Sequence, residues 1–180
     1  MNNTIVFNGT PLRLVPRKPD NGYRFYVSCD GEIGLRIAPK GVQTVVNATT
    51  TTTANSADPQ NANRKQRYLR FMDVWGYHQN ILVSHAVYLA WSGQPIPPEH
   101  QIHHLNGIVT DNHIDNLLCV LISEHFRIAD VRQRAIAALL PHSDLRCLPY
   151  ERLRYLQDPH TLSDNDFQSE LAALRASINS

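Results

Sequence analysis

The sequence predicts an α+β fold: a β-rich N-terminal module, a ββα core, and a helical C-terminal tail. Three observations carry this expectation. Residues 1–46 break into short alternating apolar runs separated by turn signals. Two short apolar runs, 101–105 and 117–121, bracket an eleven-residue polar loop from Asn106 to Asn116. Beyond Ser123, apolar side chains recur at helical spacing instead. The domain organisation expected is 1–80 for the β-rich module, 81–140 for the core and 141–180 for the tail.

Taken in order, Thr4-Ile5-Val6-Phe7 reads as a strand ended by the turn dipeptide Asn8-Gly9. Runs 23–28 and 33–37 flank Cys29-Asp30-Gly31-Glu32, a hairpin signature, and 44–46 reads as a further strand. Residues 47–63 are poor in bulky apolar side chains and read as an exposed loop. Tyr68 to Trp75 alternates as a strand does, and 76–80 turns the chain into Ile81-Leu82-Val83. Ser84 is placed to cap a helix from His85 to Trp91, with Val87, Ala90 and Trp91 as its buried stripe and Gly93 as its end. Pro95-Ile96-Pro97-Pro98 is a stiff connector. Ser123 is placed to cap a longer helix reaching Leu140, where Pro141 follows. Helices near 150–157 and 164–178 complete the chain, the last with the capping-box pair Ser163 and Asp166.

Composition limits the function classes. A chain of 180 residues with 42% apolar side chains can bury a core unaided. It contains no uninterrupted apolar run long enough to span a bilayer, and its first residues lack the pattern of a secretory signal. Cys29, Cys119 and Cys147 are odd in number and widely spaced, which argues against a disulfide framework and fits a reducing cytoplasm. The net charge of +1 hides an asymmetry. Residues 1–70 hold ten Lys or Arg against four Asp or Glu, whereas 71–180 hold seven against twelve. A basic N-terminal part is suited to a polyanion such as DNA. From Phe71 to Phe126 there is no Lys or Arg, yet seven of the nine histidines lie there. A segment so composed is better suited to a metal than to phosphate.

The chemistry concentrates in Gln101-Ile102-His103-His104-Leu105-Asn106-Gly107, then Asp115-Asn116-Leu117, then Ser123-Glu124-His125. On a strand, His103 and His104 point to opposite faces and so have different tasks. One ligand for a metal, one neutral imidazole to activate water, and a further histidine opening a helix are the parts needed to hydrolyse a phosphodiester.

These residues, together with Pro97 to Gly107, Asp111 to Leu117 and the preceding Val83 to Trp91, resemble the HNH endonuclease motif. That ββα-metal module is shared by phage-type homing endonucleases and colicin-type nucleases. The resemblance is strong over 81–126 and faint over Tyr26 to Ile33. It implies His103 and His125 as ligands of one divalent metal ion (Mg, Mn, Zn or Ni), His104 as general base, and Asn116 as the residue closing the loop by hydrogen bonds to backbone. It implies DNA as the partner and a phage or mobile-element role in a bacterial cytoplasm. Monomer and homodimer both remain open. The imidazole of His103, where some members carry Asp, favours softer ions over Mg.

Other uses of the same residues stand beside this one. A structural zinc would add His113 or Cys119 to His103 and His125, and a module that binds DNA without cutting would have no need of His104. His85 is expected to pack and hydrogen-bond. Because the core lacks cations, DNA contacts are expected from Arg64, Lys65, Arg67 and Arg70, and from Arg127, Arg132 and Arg134 on the motif helix. His125 and Arg132 are seven residues apart and so share one helix face.

Overall fold

The computed structural model describes residues 3–16, 22–52, 65–72, 78–125, 130–139, 148 and 150–178. It is an α+β protein whose chain divides into two compact units, Met1–Ile96 with Val109–Leu117, and Pro97–Ile108 with Leu118–Ser180. Among the described residues no helix is long and apolar enough to cross a membrane.

The first unit is built on an antiparallel meander of seven strands in chain order. They are β1 (Thr4–Phe7), β2 (Thr10–Leu14), β3 (Arg24–Val27), β4 (Ile33–Ile37), β5 (Gln43–Thr52), β6 (Lys65–Met72) and β7 (His78–Leu82). The β1–β2 turn places Asn8 and Gly9 at φ of 49° and 81°, the two positive values that the Asn-Gly dipeptide accommodates best. The β3–β4 turn is closed by Ser28, whose hydroxyl bonds Asp30 and accepts the Ile33 N–H at 3.0 Å. Gly31 is required there twice over. Its φ is 72°, and a Cβ would sit 2.2 Å from the Val83 side chain.

One element of this sheet is unforeseen in the sequence and one expectation fails. Thr10–Leu14 is a strand although Pro11 speaks against one; the pairing with β3 begins only at Arg13, so the missing N–H of Pro11 costs that partner nothing. Residues 47–52, expected in a loop, extend β5 and pair with β6 from Ala48↔Leu69 to Thr52↔Lys65. The threonine run has strand propensity that compensates for its polarity. The rest of that expected loop, 53–63, lies outside the described residues, as does Trp75.

Helix α1 (Val83–Ser92) follows β7 without a break. Ser84 does not cap it. The helix starts two residues earlier, with Leu82 as a cap lacking side-chain bonds, and Ser84 lies on the buried stripe with Val83, Ala86, Val87 and Ala90. Gly93 ends the helix in the left-handed conformation, as expected. Trp91 anchors it by donating to the Val27 carbonyl at 3.0 Å, with the Arg13 guanidinium 4.5 Å from its ring centroid. The core beneath the first strands is Leu12, Tyr26 and Leu35.

The second unit centres on a two-stranded sheet, β8 (His100–His104) with β9 (Leu117–Leu121). It continues with α2 (Ile122–His125), α3 (Asp130–Ala137), α4 (Tyr150–Gln157) and α5 (Asp164–Ile178). Its core comprises Leu105, Ile136, Leu153, Leu156, Leu162 and Phe167. The capping expectation at Ser163 holds, since its Oγ accepts the Asp166 N–H at 3.2 Å and donates to the Asp166 carboxylate at 2.5 Å.

Candidate active site

The paired histidines of β8 differ in burial: His103 is 4% exposed and His104 is partly buried. The chain then turns tightly. The Gly107 N–H donates to the His104 carbonyl at 3.0 Å, and the Asn106 side chain accepts the Ile108 N–H at 2.8 Å. Gly107 has φ of 72°, and a Cβ there would approach Gln133 Oε1 to 3.2 Å.

His125 closes α2, whose start is fastened to the foot of β8 by the Ile122 N–H donating to the Glu99 carbonyl at 2.8 Å. One turn of helix brings the His125 ring edge-on to His103, with centroids 5.1 Å apart and an interplanar angle of 78°. Beside His125, Glu124 accepts from Arg154 Nη1 at 2.9 Å, which ties α2 to α4. Burial, reinforced by the neighbouring His125 and His104, pushes the His103 pKa down to about 3. Its imidazole is therefore neutral at ordinary pH.

The spacing of the two rings suits a shared ion. Two imidazoles bound to one tetrahedral ion at ~2.0–2.1 Å place their centroids roughly 5 Å apart. With only these two side chains as protein ligands, other coordination positions stay open for water and phosphate oxygens. Among the described residues no group of three or more His, Cys, Asp or Glu is poised to close around an ion. His113, the third ligand of a structural-zinc arrangement, uses its Nδ1 to accept the Asp115 N–H at 3.3 Å.

Asn116 belongs to the first unit. It is fully buried, and its side-chain amide donates to the Asp111 carbonyl at 2.8 Å while its backbone N–H donates to His113. The Ile114 N–H donates to the Cys29 carbonyl at 2.8 Å, which fixes this segment to the β3–β4 turn. Nearby in sequence, the Asn112 amide bonds the Thr110 carbonyl at 3.1 Å. The polar connection thus satisfies its own backbone groups. His85 lies half-buried on α1, where burial lowers its pKa.

The cations expected to meet DNA divide. Arg132 is corrected: it is 4% exposed, and its guanidinium donates to the carbonyls of Asp158 (3.2 Å) and Leu162 (2.8 Å) and pairs with Asp164 at 2.6 Å. It also stacks on Phe167. All these partners lie in the second unit, so Arg132 holds α5 rather than a phosphate. Arg67 forms a two-pronged ion pair with Glu32, one prong at 2.7 Å, which holds the Glu32 carboxyl below the usual range. Arg64 and Arg127 lie outside the described residues, as do the side chains of Lys65 and Arg70.

One residue of the site was missed. Gln133 on α3 is 2% exposed, and its side-chain amide nitrogen lies 2.9 Å from His103 Nε2, 3.0 Å from the Leu105 carbonyl and against the His104 carbonyl. It falls between two arginines in sequence, and only the helical register that buries Ile136 hints that it faces inward.

Residues 82–127 match the HNH endonuclease family. The chain contains an HNH endonuclease domain. The match spans β8, β9 and α2 with the helix before them, and so includes His103, His104, Asn116 and His125. Gln133 lies beyond it. No curated protein and no solved structure matches the chain.

Proposed function

We propose that this HNH domain is a metal-dependent endonuclease that hydrolyses DNA phosphodiesters, with His104 as general base and His103 and His125 as metal ligands. The observation that carries the reading is the division of labour on β8. His103 is buried against His125, while the adjacent His104 is only partly buried. A divalent ion held there would stabilise charge developing on the phosphate and the leaving oxygen.

The residues of the chain supply the rest. His104 takes the proton from the attacking water as the general base. Asn116 holds the connection between the two strands in shape through the Asp111 carbonyl and takes no proton. The basic N-terminal module supplies DNA affinity through Arg64, Lys65 and Arg70, with Arg127 as a further contact; Arg67, already engaged by Glu32, contributes less. The imidazole ligands favour Mn, Ni or Zn over Mg. A phage or mobile-element homing role in a bacterial cytoplasm is the biological setting that fits this family resemblance.

The test is nicking of supercoiled plasmid with each divalent ion in turn. Relaxation that depends on the ion and stops with a chelator supports the reading. Tight DNA binding without relaxation under any of these ions supports a catalytically inactive DNA-binding or regulatory module on the same fold.

A further inference from the structure

Helix α2 is a single turn, and none of its four residues is buried. One turn is not stable alone, because nucleation fixes several dihedrals for one hydrogen bond. With no buried side chain of its own, α2 depends on bonds to better-anchored elements. At its start the Ile122 N–H reaches the Glu99 carbonyl. One residue before His125, the Glu124 carboxylate accepts from Arg154 Nη1 at 2.9 Å. Arg154 is itself carried on a fixed element. Leu153 and Leu156 of the same helix are buried in one core cluster with Leu105. Leu105 directly follows His103 and His104 in the chain. Helix α4 therefore packs in the core that receives the end of β8 and also grips the turn that carries His125.

We infer that Arg154 is a positioning residue: through Glu124 it holds α2 so that His125 meets His103. It touches no reacting atom. The inference rests on the reading of the two histidines as ligands, and it gives a C-terminal helix outside the matched segment a part in the site. The side chains of the pair are 43% and 20% exposed, so the pair adds little to global stability. Its effect falls on the place of one short helix.

The experiment compares full-length Arg154→Met, Glu124→Gln, the double variant and Arg154→Lys with the unsubstituted protein. Zn or Ni affinity is measured by calorimetry. The contact between the His103 and His125 rings is read in the metal-free protein from nuclear Overhauser effects. Charge alone moves the two single variants in opposite directions: loss of a cation near the site raises affinity for a metal ion, and loss of an anion lowers it. Positioning moves both the same way. The expected result is a fall of about three- to fivefold in each, near the upper end of what a partly exposed pair carries. The double variant should fall no further than either single one, Arg154→Lys should retain most of the affinity, and the ring-to-ring contact should weaken in Arg154→Met. Changes of opposite sign, or unchanged affinity in both single variants with native circular dichroism, overturn the inference while the ligand reading survives. If Arg154→Met does not fold, Glu124→Gln decides: unchanged affinity and an intact ring contact overturn the inference. If the unsubstituted protein binds neither ion, the ligand reading fails, and the ring contact alone decides the role of Arg154: weakened in the variants it supports the role, intact it overturns it.

Discussion

The His125 ring stands edge-on to the His103 ring at 5.1 Å between centroids, although 21 residues of sequence separate them. The contact joins the end of a strand to the end of a single helical turn, and both are held by bonds within the same unit. If the two rings share an ion, His103→Ala or His125→Ala should each weaken Zn or Ni binding by more than the 10–100-fold typical of outer-shell partners. Calorimetry on the folded variants measures this. Unchanged affinity in either variant removes that histidine from the site.

Acid should destabilise the metal-free protein in a defined window. Burial holds both His103 (about 3) and His85 below the ordinary histidine value. In the unfolded chain both return to ~6.5 and gain protons below that pH. The unfolded state then binds more protons, so this stability is complete above ~6.5 and is lost as pH falls toward about 3. Tm should decline through that window, and His85→Gln should make the decline shallower. An equal decline in the variant means His85 is not proton-linked to folding.

Arg132→Met should lower stability by about 1–3 kcal/mol, since it takes the guanidinium donor from the buried Leu162 carbonyl and one of several donors from that of Asp158. The exposed Asp164 carboxylate adds little to that figure. Chemical denaturation measures the loss. The salt dependence of DNA binding should stay the same. A flatter salt slope at unchanged stability would return Arg132 to the DNA surface.

Neutralising Arg64, Lys65 and Arg70 together should reduce the slope of log affinity against log salt by roughly 0.9 for each phosphate contact removed. Metal affinity should not change, because His103 and His125 both lie in the second unit. A full slope in the triple variant shifts the DNA surface elsewhere, with Arg127 and Arg134 next to test.

The sequence was most legible where chemistry is local. Asn8-Gly9, Cys29 to Glu32, Gly93 and the Ser163–Asp166 pair each act through their own backbone, and each does what its residue type allows. The histidine constellation was legible for a related reason. His103 and His104 differ in burial, and loop and helix order returns His125 to His103. Residues whose role depends on distant partners were not legible. Ser84 is claimed by a buried stripe, the threonines of β5 by pairing with β6, and Arg132 by carbonyls 26 and 30 residues away. Gln133 had no local signature, because its acceptors lie 28–30 residues back in the chain.

The most direct measurement is cleavage by His104→Ala beside the unsubstituted protein, on the same supercoiled plasmid and with the same divalent ion. Removing a general base should slow nicking by roughly 10²–10⁴-fold. DNA affinity and metal affinity should stay near those of the unsubstituted protein, since the assignment makes His104 a base and not a ligand. Nicking at the unsubstituted rate by a folded, metal-loaded His104→Ala protein would contradict the assignment of His104 as the base.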